Sequence, residues 1–345
     1  MTDMSQTSAD SQLAPLFRIF ALSITALGVV FVLNNFLNFW WDWPGLPTFF
    51  GHLGLFGFEP LPKPLDSGAL MLGWVQLLIY TVPIIGLAMI VRKTPDRSMH
   101  ADSEALSDLA AFIIRGAFWA VLLVGLVDVV ISFLRVEGFL RDIVGKQLAD
   151  DLGRSSYRGA NVHYPIIALS YVIAWFNRSI GFTWLALLIV VAEIQIVIAR
   201  FVFSYEQAFM ADLVRFWYGA LFLFASPYTL IHEGHVRVDI LYASFSERGK
   251  AWTNAIGSSC LGTPLCWIVL TSGLWGKSSV INSPMISYEV TQAGYGLYVK
   301  YLLAGFLLIF AISMLIQFMS YFLSSVAVLL REKGYHPDMT EHANV

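Results

Sequence analysis

The polar residues that could do chemistry are few and stand out. The string His232-Glu233-Gly234-His235-Val236-Arg237-Val238-Asp239-Ile240-Leu241-Tyr242 follows directly on an apolar stretch. Its two histidines and glutamate could ligate a metal. The histidines are spaced i, i+3, however, not the i, i+4 of the H-E-x-x-H zinc helix, and no second cluster completes four ligands. Read instead as a helix on a membrane surface, the string puts Val236, Ile240 and Ala243 on one face and His235 and Asp239 on another. Glu233 then precedes Arg237 by four residues, the favourable order for an ion pair. Spacing alone favours the surface helix.

Three further charges lie inside apolar stretches. Glu193 is mid-stretch, where a charge in hydrocarbon costs a few kcal/mol (about 3 on insertion scales), and neither Ile189 nor Val197 can neutralise it. It needs a partner on another helix, another subunit or a proton. Interhelical packing is the ordinary reading and ion coupling the sharper one. Arg115 and Asp128 are separated by about 20 Å along one helix, too far to pair, and read as side chains snorkelling to opposite surfaces. Arg200 and Asp212 bracket the short loop 204–211 and read as a local ion pair.

The elements that must position these groups follow from composition. Of 345 residues, 57% are hydrophobic and 13% charged, about half the charged share of an ordinary globular domain, and mean hydropathy is +0.67. In lipid no water satisfies free backbone groups, so such a chain crosses as helices of about 20 residues. The fold expected is an all-α polytopic membrane protein. A net charge of −3 leaves no electrostatic footprint for nucleic acid. Cys260 and Cys266 read as small core residues, and the polar N-terminus lacks the basic region of a secretory signal, so the first apolar stretch is expected to stay in the mature protein.

Seven spans are expected, at roughly 16–37, 68–91, 109–134, 181–203, 213–231, 252–275 and 297–330. A shorter piece, 165–176, is either an interfacial helix or an eighth span. Trp40, Trp41 and Trp43 read as an interface belt. Segment 135–163, which carries Arg135, Arg141, Lys146, Arg154 and Arg158, reads as the longest soluble stretch. Cytoplasmic loops collect Lys and Arg: seven spans put twelve such residues inside against five outside, and eight put ten against seven. The count favours seven, although the run Arg92-Lys93-Thr94-Pro95-Asp96-Arg97 then faces outside. Both arrangements place the loop after Ile231 and the C-terminus in the cytoplasm.

The string His235 to Tyr242 closely resembles the signature of the small membrane subunit, the DctQ-like small permease, of tripartite ATP-independent periplasmic (TRAP) transporters. Other landmarks match in order: Asn177-Arg178-Ser179-Ile180-Gly181, Arg200-Phe201-Val202-Phe203, Asp212-Leu213 with Gly219-Ala220-Leu221-Phe222, then Glu289 and Lys300. The chain departs in having Asp212 where the family more often has Glu, and in a shorter stretch between Glu289 and Lys300. The resemblance covers about 166–330 and implies three parts: an N-terminal extension with three spans (1–160), a four-span small-subunit domain (161–332) and a polar tail (333–345). It implies a non-enzymatic scaffold in the bacterial inner membrane, without cofactor or metal. Its partners would be a large DctM-like membrane subunit and a periplasmic solute-binding protein, and the system would take up a small organic anion such as a carboxylate on an ion gradient, usually sodium. His235, Arg237, Asp239, Arg200, Asp212, Glu289 and Lys300 would then bear on subunit assembly. The absence of a G-x-x-x-x-G-K-[ST] loop agrees with transport without ATP.

Two other classes fit less well. A self-contained carrier or channel needs polar lining on several spans or broken helices in matched halves, and the chain offers mainly Glu193 and Gln195. A membrane metal or redox protein needs histidines inside facing spans, whereas His52, His100, His163, His336 and His342 read as loop or tail residues.

Overall fold

Backbone groups that cannot reach water must bond to one another, and the computed structural model, which describes residues 2–178, 182–231 and 242–332, is accordingly helical, with no strand among the described residues. The helices are α1 (Thr2–Trp40), α2 (Leu46–Leu53), α3 (Ser67–Lys93), α4 (Met99–Val136), α5 (Leu140–Val144), α6 (Lys146–Leu152), α7 (Ser155–Arg158), α8 (Tyr164–Phe176), α9 (Phe182–Phe203), α10 (Ala208–Ile231), α11 (Glu247–Ile256), α12 (Thr263–Leu274), α13 (Asn282–Ser287) and α14 (Lys300–Leu329). A π-turn, Gly159–His163, joins α7 to α8 without a break, and another, Gly257–Gly262, joins α11 to α12. Among the described residues seven stretches are long and apolar enough to cross a membrane, at the places the sequence predicts: Leu13–Trp40, Ser67–Lys93, Met99–Val136, Thr183–Phe203, Phe209–Leu230, Glu247–Leu274 and Lys300–Leu329.

Two compact units form. The first takes in residues up to Asp108 and the described parts of 236–268 and 315–345. Here α1 and α3 make a hairpin joined by polar side chains. Gln76 donates to Asn34 (2.7 Å) and Asn38 (2.5 Å) and accepts from the Gly45 amide (3.0 Å). At the other end Arg18, which is buried, donates to Asp102 (2.6 Å) and to the Thr94 carbonyl (2.8 Å), and Arg97 reaches the same carboxylate. Glu332 accepts from the amides of Met99 and His100, capping α4, and Ser103 and Ser320 each donate to the other's carbonyl at 2.8 Å. The start of α4 therefore lies at the end of α14.

The second unit takes in 109–235 and 269–314. Residues 155–176 run antiparallel to α4 along most of its length. Arg158 meets Asp128 and Ser132, the Tyr171 hydroxyl donates to the Ile113 carbonyl, Arg115 Nε donates to the Ala174 carbonyl and Trp175 packs edge-on against Phe112. From Ser132 to Phe112 is about 30 Å of helix, the thickness of a bilayer's hydrocarbon. Gly116 permits the approach: a Cβ there would lie 2.3 Å from the Tyr171 ring. Helix α9 then returns, since Tyr205 beyond its end bonds to Glu137 beyond the end of α4. Helix α10 turns back once more, with Phe209 beside Phe133, Trp217 Nε1 donating to the Val121 carbonyl and Phe224 against Phe118.

These pairings place 164–176 alongside α4, in addition to the seven long apolar helices. Such a course favours the reading in which this segment crosses with α4, an arrangement of eight spans. Arg158, counted above as a loop residue, is buried.

One smaller expectation changes: Cys266 is buried but Cys260 faces outward. Pro264 follows directly on the π-turn Gly257–Gly262, where Thr263 Oγ1 donates to the Ser258 carbonyl (2.9 Å). In a variant lacking Cys260 and Cys266, single cysteines at Asp96, Lys146 and Arg331 test the topology. A membrane-impermeant maleimide should label Asp96→Cys and Arg331→Cys from one side and Lys146→Cys from the other; labelling of positions 96 and 331 from opposite sides would contradict eight crossings.

Candidate functional site

Within the second unit the polar residues gather at one end of α4. Asp128, Arg158 and His163 all have fully buried side chains, at 0% exposure. Asp128 Oδ1 accepts from Arg158 Nη1 (2.8 Å) and lies 3.0 Å from His163 Nε2, while Oδ2 accepts from the Tyr298 amide at 2.8 Å. Arg158 directs its remaining donors to Ser132 Oγ and, twice, to the Leu152 carbonyl. Its guanidinium lies over the Tyr298 ring at 4.3 Å, as does that of Arg135 at 4.5 Å. His163 Nδ1 is 2.8 Å from the Tyr301 hydroxyl.

The π-turn makes this possible. Residues five apart on an α-helix point about 140° away from each other, but a π-turn, bonded i to i+5, returns them to one face. Arg158 and His163 are five apart and reach the same carboxylate oxygen. Gly159 at the turn is required by space, for a Cβ would sit 2.4 Å from the Tyr288 ring.

The cluster also fixes the segment leading into α14. Asp212 Oδ2 accepts from the Leu297 amide (3.1 Å), Arg135 donates to the Gly296 carbonyl (2.9 Å), and the Tyr301 amide donates to the Glu289 carbonyl (3.0 Å). Two carboxylates from different helices thus hold the adjacent amides 297 and 298. Glu289 and Lys300 themselves form an ion pair at 2.6 Å, each a little under half exposed.

Every strong acceptor of Asp128 is occupied, and both ring nitrogens of His163 are taken, by Asp128 and Tyr301. A histidine so held has no nitrogen left for a haem or a metal, although it does lie inside a helix pair and not in a loop. Around Asp128 the hydrogen bonds and charges are paired, which suits rigidity and not turnover; Arg135 Nε and Nη1 are buried without a hydrogen-bond partner among the described residues.

The residues singled out in the sequence are dispersed. Asp128 does not snorkel but is the centre of the cluster. Arg115, half-buried, donates to a carbonyl in the last turn of α8, where a cation is favourable. Asp212 pairs with Arg215, 3.6 Å away, and not with Arg200, which is exposed on α9. Glu193 is exposed too, so it does not serve as packing between helices of its own chain. His235, Arg237 and Asp239 lie outside the described residues, as do His232 and Ser179 to Gly181. Sequence reasoning missed Arg158, His163, Tyr298 and Tyr301. The only signal for the first two was their five-residue spacing around a glycine, just before an apolar run.

Residues 186–328, which hold nearly all of α9, α10, α11, α12 and α14, match a family model described as "Tripartite ATP-independent periplasmic transporters, DctQ component". Over this stretch the chain is similar to the DctQ component, a membrane component of TRAP transporters. No curated protein and no solved structure matches the chain. Asp212, Glu289 and Lys300 fall within the matched stretch, whereas Asp128, Arg158 and His163 precede it, so the cluster joins residues ahead of that stretch to the loop that starts α14.

Breaking a buried ion pair by removing one partner costs about 3–5 kcal/mol, against about 0–1 kcal/mol for an exposed pair. Asp128→Ala should therefore lower the thermal midpoint of the detergent-solubilised protein sharply and Glu289→Ala hardly at all. Equal small shifts in a fluorescence melting series would show that the cluster does not hold the unit together.

Proposed function

We propose that this chain is the small permease subunit of a TRAP uptake system in a bacterial inner membrane: a non-catalytic scaffold on which a large DctM-like membrane subunit is seated. The observation that carries the reading is the DctQ match over residues 186–328. A periplasmic solute-binding protein would deliver the substrate, a small organic anion such as a carboxylate, and an ion gradient, usually of sodium, would drive uptake.

The site chemistry supports a scaffold. Transport by domain motion needs one part that stays fixed, and a buried network with its donors and acceptors paired is rigid. In this reading the loop with His235, Arg237 and Asp239 faces the cytoplasm together with the C-terminus. It bears on assembly, as do Arg200, Asp212 and the Glu289 with Lys300 pair. We place the boundary between the extension and the four-span domain at 177–181, not at 160, because 155–176 is one unbroken helix. The extension then contributes four crossings. An even number leaves the orientation of the following four spans as it would be without them, which supports an N-terminus in the cytoplasm.

Purification of the tagged chain from its native membrane in mild detergent, with mass spectrometry of its companions, tests the assignment. A stoichiometric large membrane protein of about a dozen spans is expected; recovery of the chain alone would count against the small-subunit reading.

A further inference from the structure

Helix α9 is tied to its own chain by a single stripe. Leu185, Ile189 and Ala192, spaced i, i+4 and i+7, are buried, while Val190, Ile194 and Val197 are about half exposed. Lipid suits those apolar side chains. It does not suit Glu193, which is exposed and lies about 15 Å from either end of the span Thr183–Phe203, at the depth where a carboxylate is most costly. No hydrogen bond or ion pair to it occurs among the described residues.

We propose that the flank of α9 formed by Glu193, Val197 and Arg200 docks a transmembrane helix of the large TRAP subunit, one that presents a lysine or arginine to Glu193 at mid-membrane. The inference rests on the small-subunit reading and adds the surface and the charge by which the partner is recognised. Residues i, i+4 and i+7 share one helix flank, so an apposed helix can cover all three.

Charge selects this occupant over a second copy of the chain. Two copies inserted the same way bring like residues to like depths. Around Glu193 that depth offers no cation: Arg200 is about two turns nearer the helix end, Arg215 is held by Asp212 and Arg115 donates to Ala174. Headgroup cations of lipids stay at the surface.

Two readouts on the tagged full chain in its native membrane test the proposal. Glu193→Lys should cut the recovered large subunit at least tenfold, with Glu193→Gln intermediate and the elution volume of the chain itself unchanged. A photoreactive benzoylphenylalanine in place of Val197 should give an adduct with the large subunit. Undiminished recovery with Glu193→Lys, or adducts only with lipid or with a second copy, overturns the docking surface while leaving the small-subunit reading intact. If Glu193→Lys does not insert, the adduct at position 197 decides alone. A wild-type preparation with no large partner overturns both.

Discussion

A carboxylate placed where water cannot reach it must be surrounded by donors, and in the second unit Asp128 organises that demand. Its three partners come from three places: Arg158 before the π-turn, His163 at its end, and the Tyr298 amide ahead of α14. Loss of Arg158 would leave a buried charge without its ion-pair partner, and loss of His163 or of the Tyr298 amide would leave a buried carboxylate oxygen short of a hydrogen bond. Asp128 thereby sets the lateral position of 155–176 against α4 and the point at which the last helix begins. The antiparallel course of 155–176 follows from the same contacts continued by Tyr171, Ala174 and Trp175.

The two units solve the problem of buried polarity in the same way with different groups. In the first, Arg18 and Asp102 form the buried ion pair, and an amide triplet of Gln76, Asn34 and Asn38 joins α1 to α3. In the second, an acid, an arginine and a histidine are used. Each set leaves little unpaired, which is the condition for a polar core to stiffen a bundle and not loosen it. Glu193 is the exception, since no hydrogen bond or ion pair reaches it among the described residues.

Much of the fold is legible in the sequence because it rests on hydropathy, a local property. The seven long apolar stretches are where α1, α3, α4, α9, α10, α11 with α12, and α14 form. What is not legible rests on relations between distant residues. Asp128 lies 30 positions from Arg158 and 170 from Tyr298, and neither distance leaves a local trace. The full length of the helical segment 155–176 is hidden for a related reason: Arg158, Asn161 and His163 make its first turns polar, so it looks like a short apolar piece after a soluble loop. The polarity is the signature of the buried cluster, not of solvent. Of the site residues, Glu193 was legible as a charge in need of a partner, Glu289 and Lys300 as members of a motif, and the snorkelling assigned to Asp128 failed because it considered one helix at a time.

The central claim is that residues 155–176 accompany α4 across the membrane. Phe112 and Trp175, whose ring centroids lie 5.8 Å apart, mark the end farthest from the ionic cluster. Replacing both with cysteine in a chain lacking Cys260 and Cys266, then adding a short bis-maleimide, should yield an intramolecular bridge that prevents separation of the two halves after cleavage of an engineered protease site in the 137–154 loop. Free separation of the halves would show that the segment lies elsewhere, on the membrane surface, and would contradict the account.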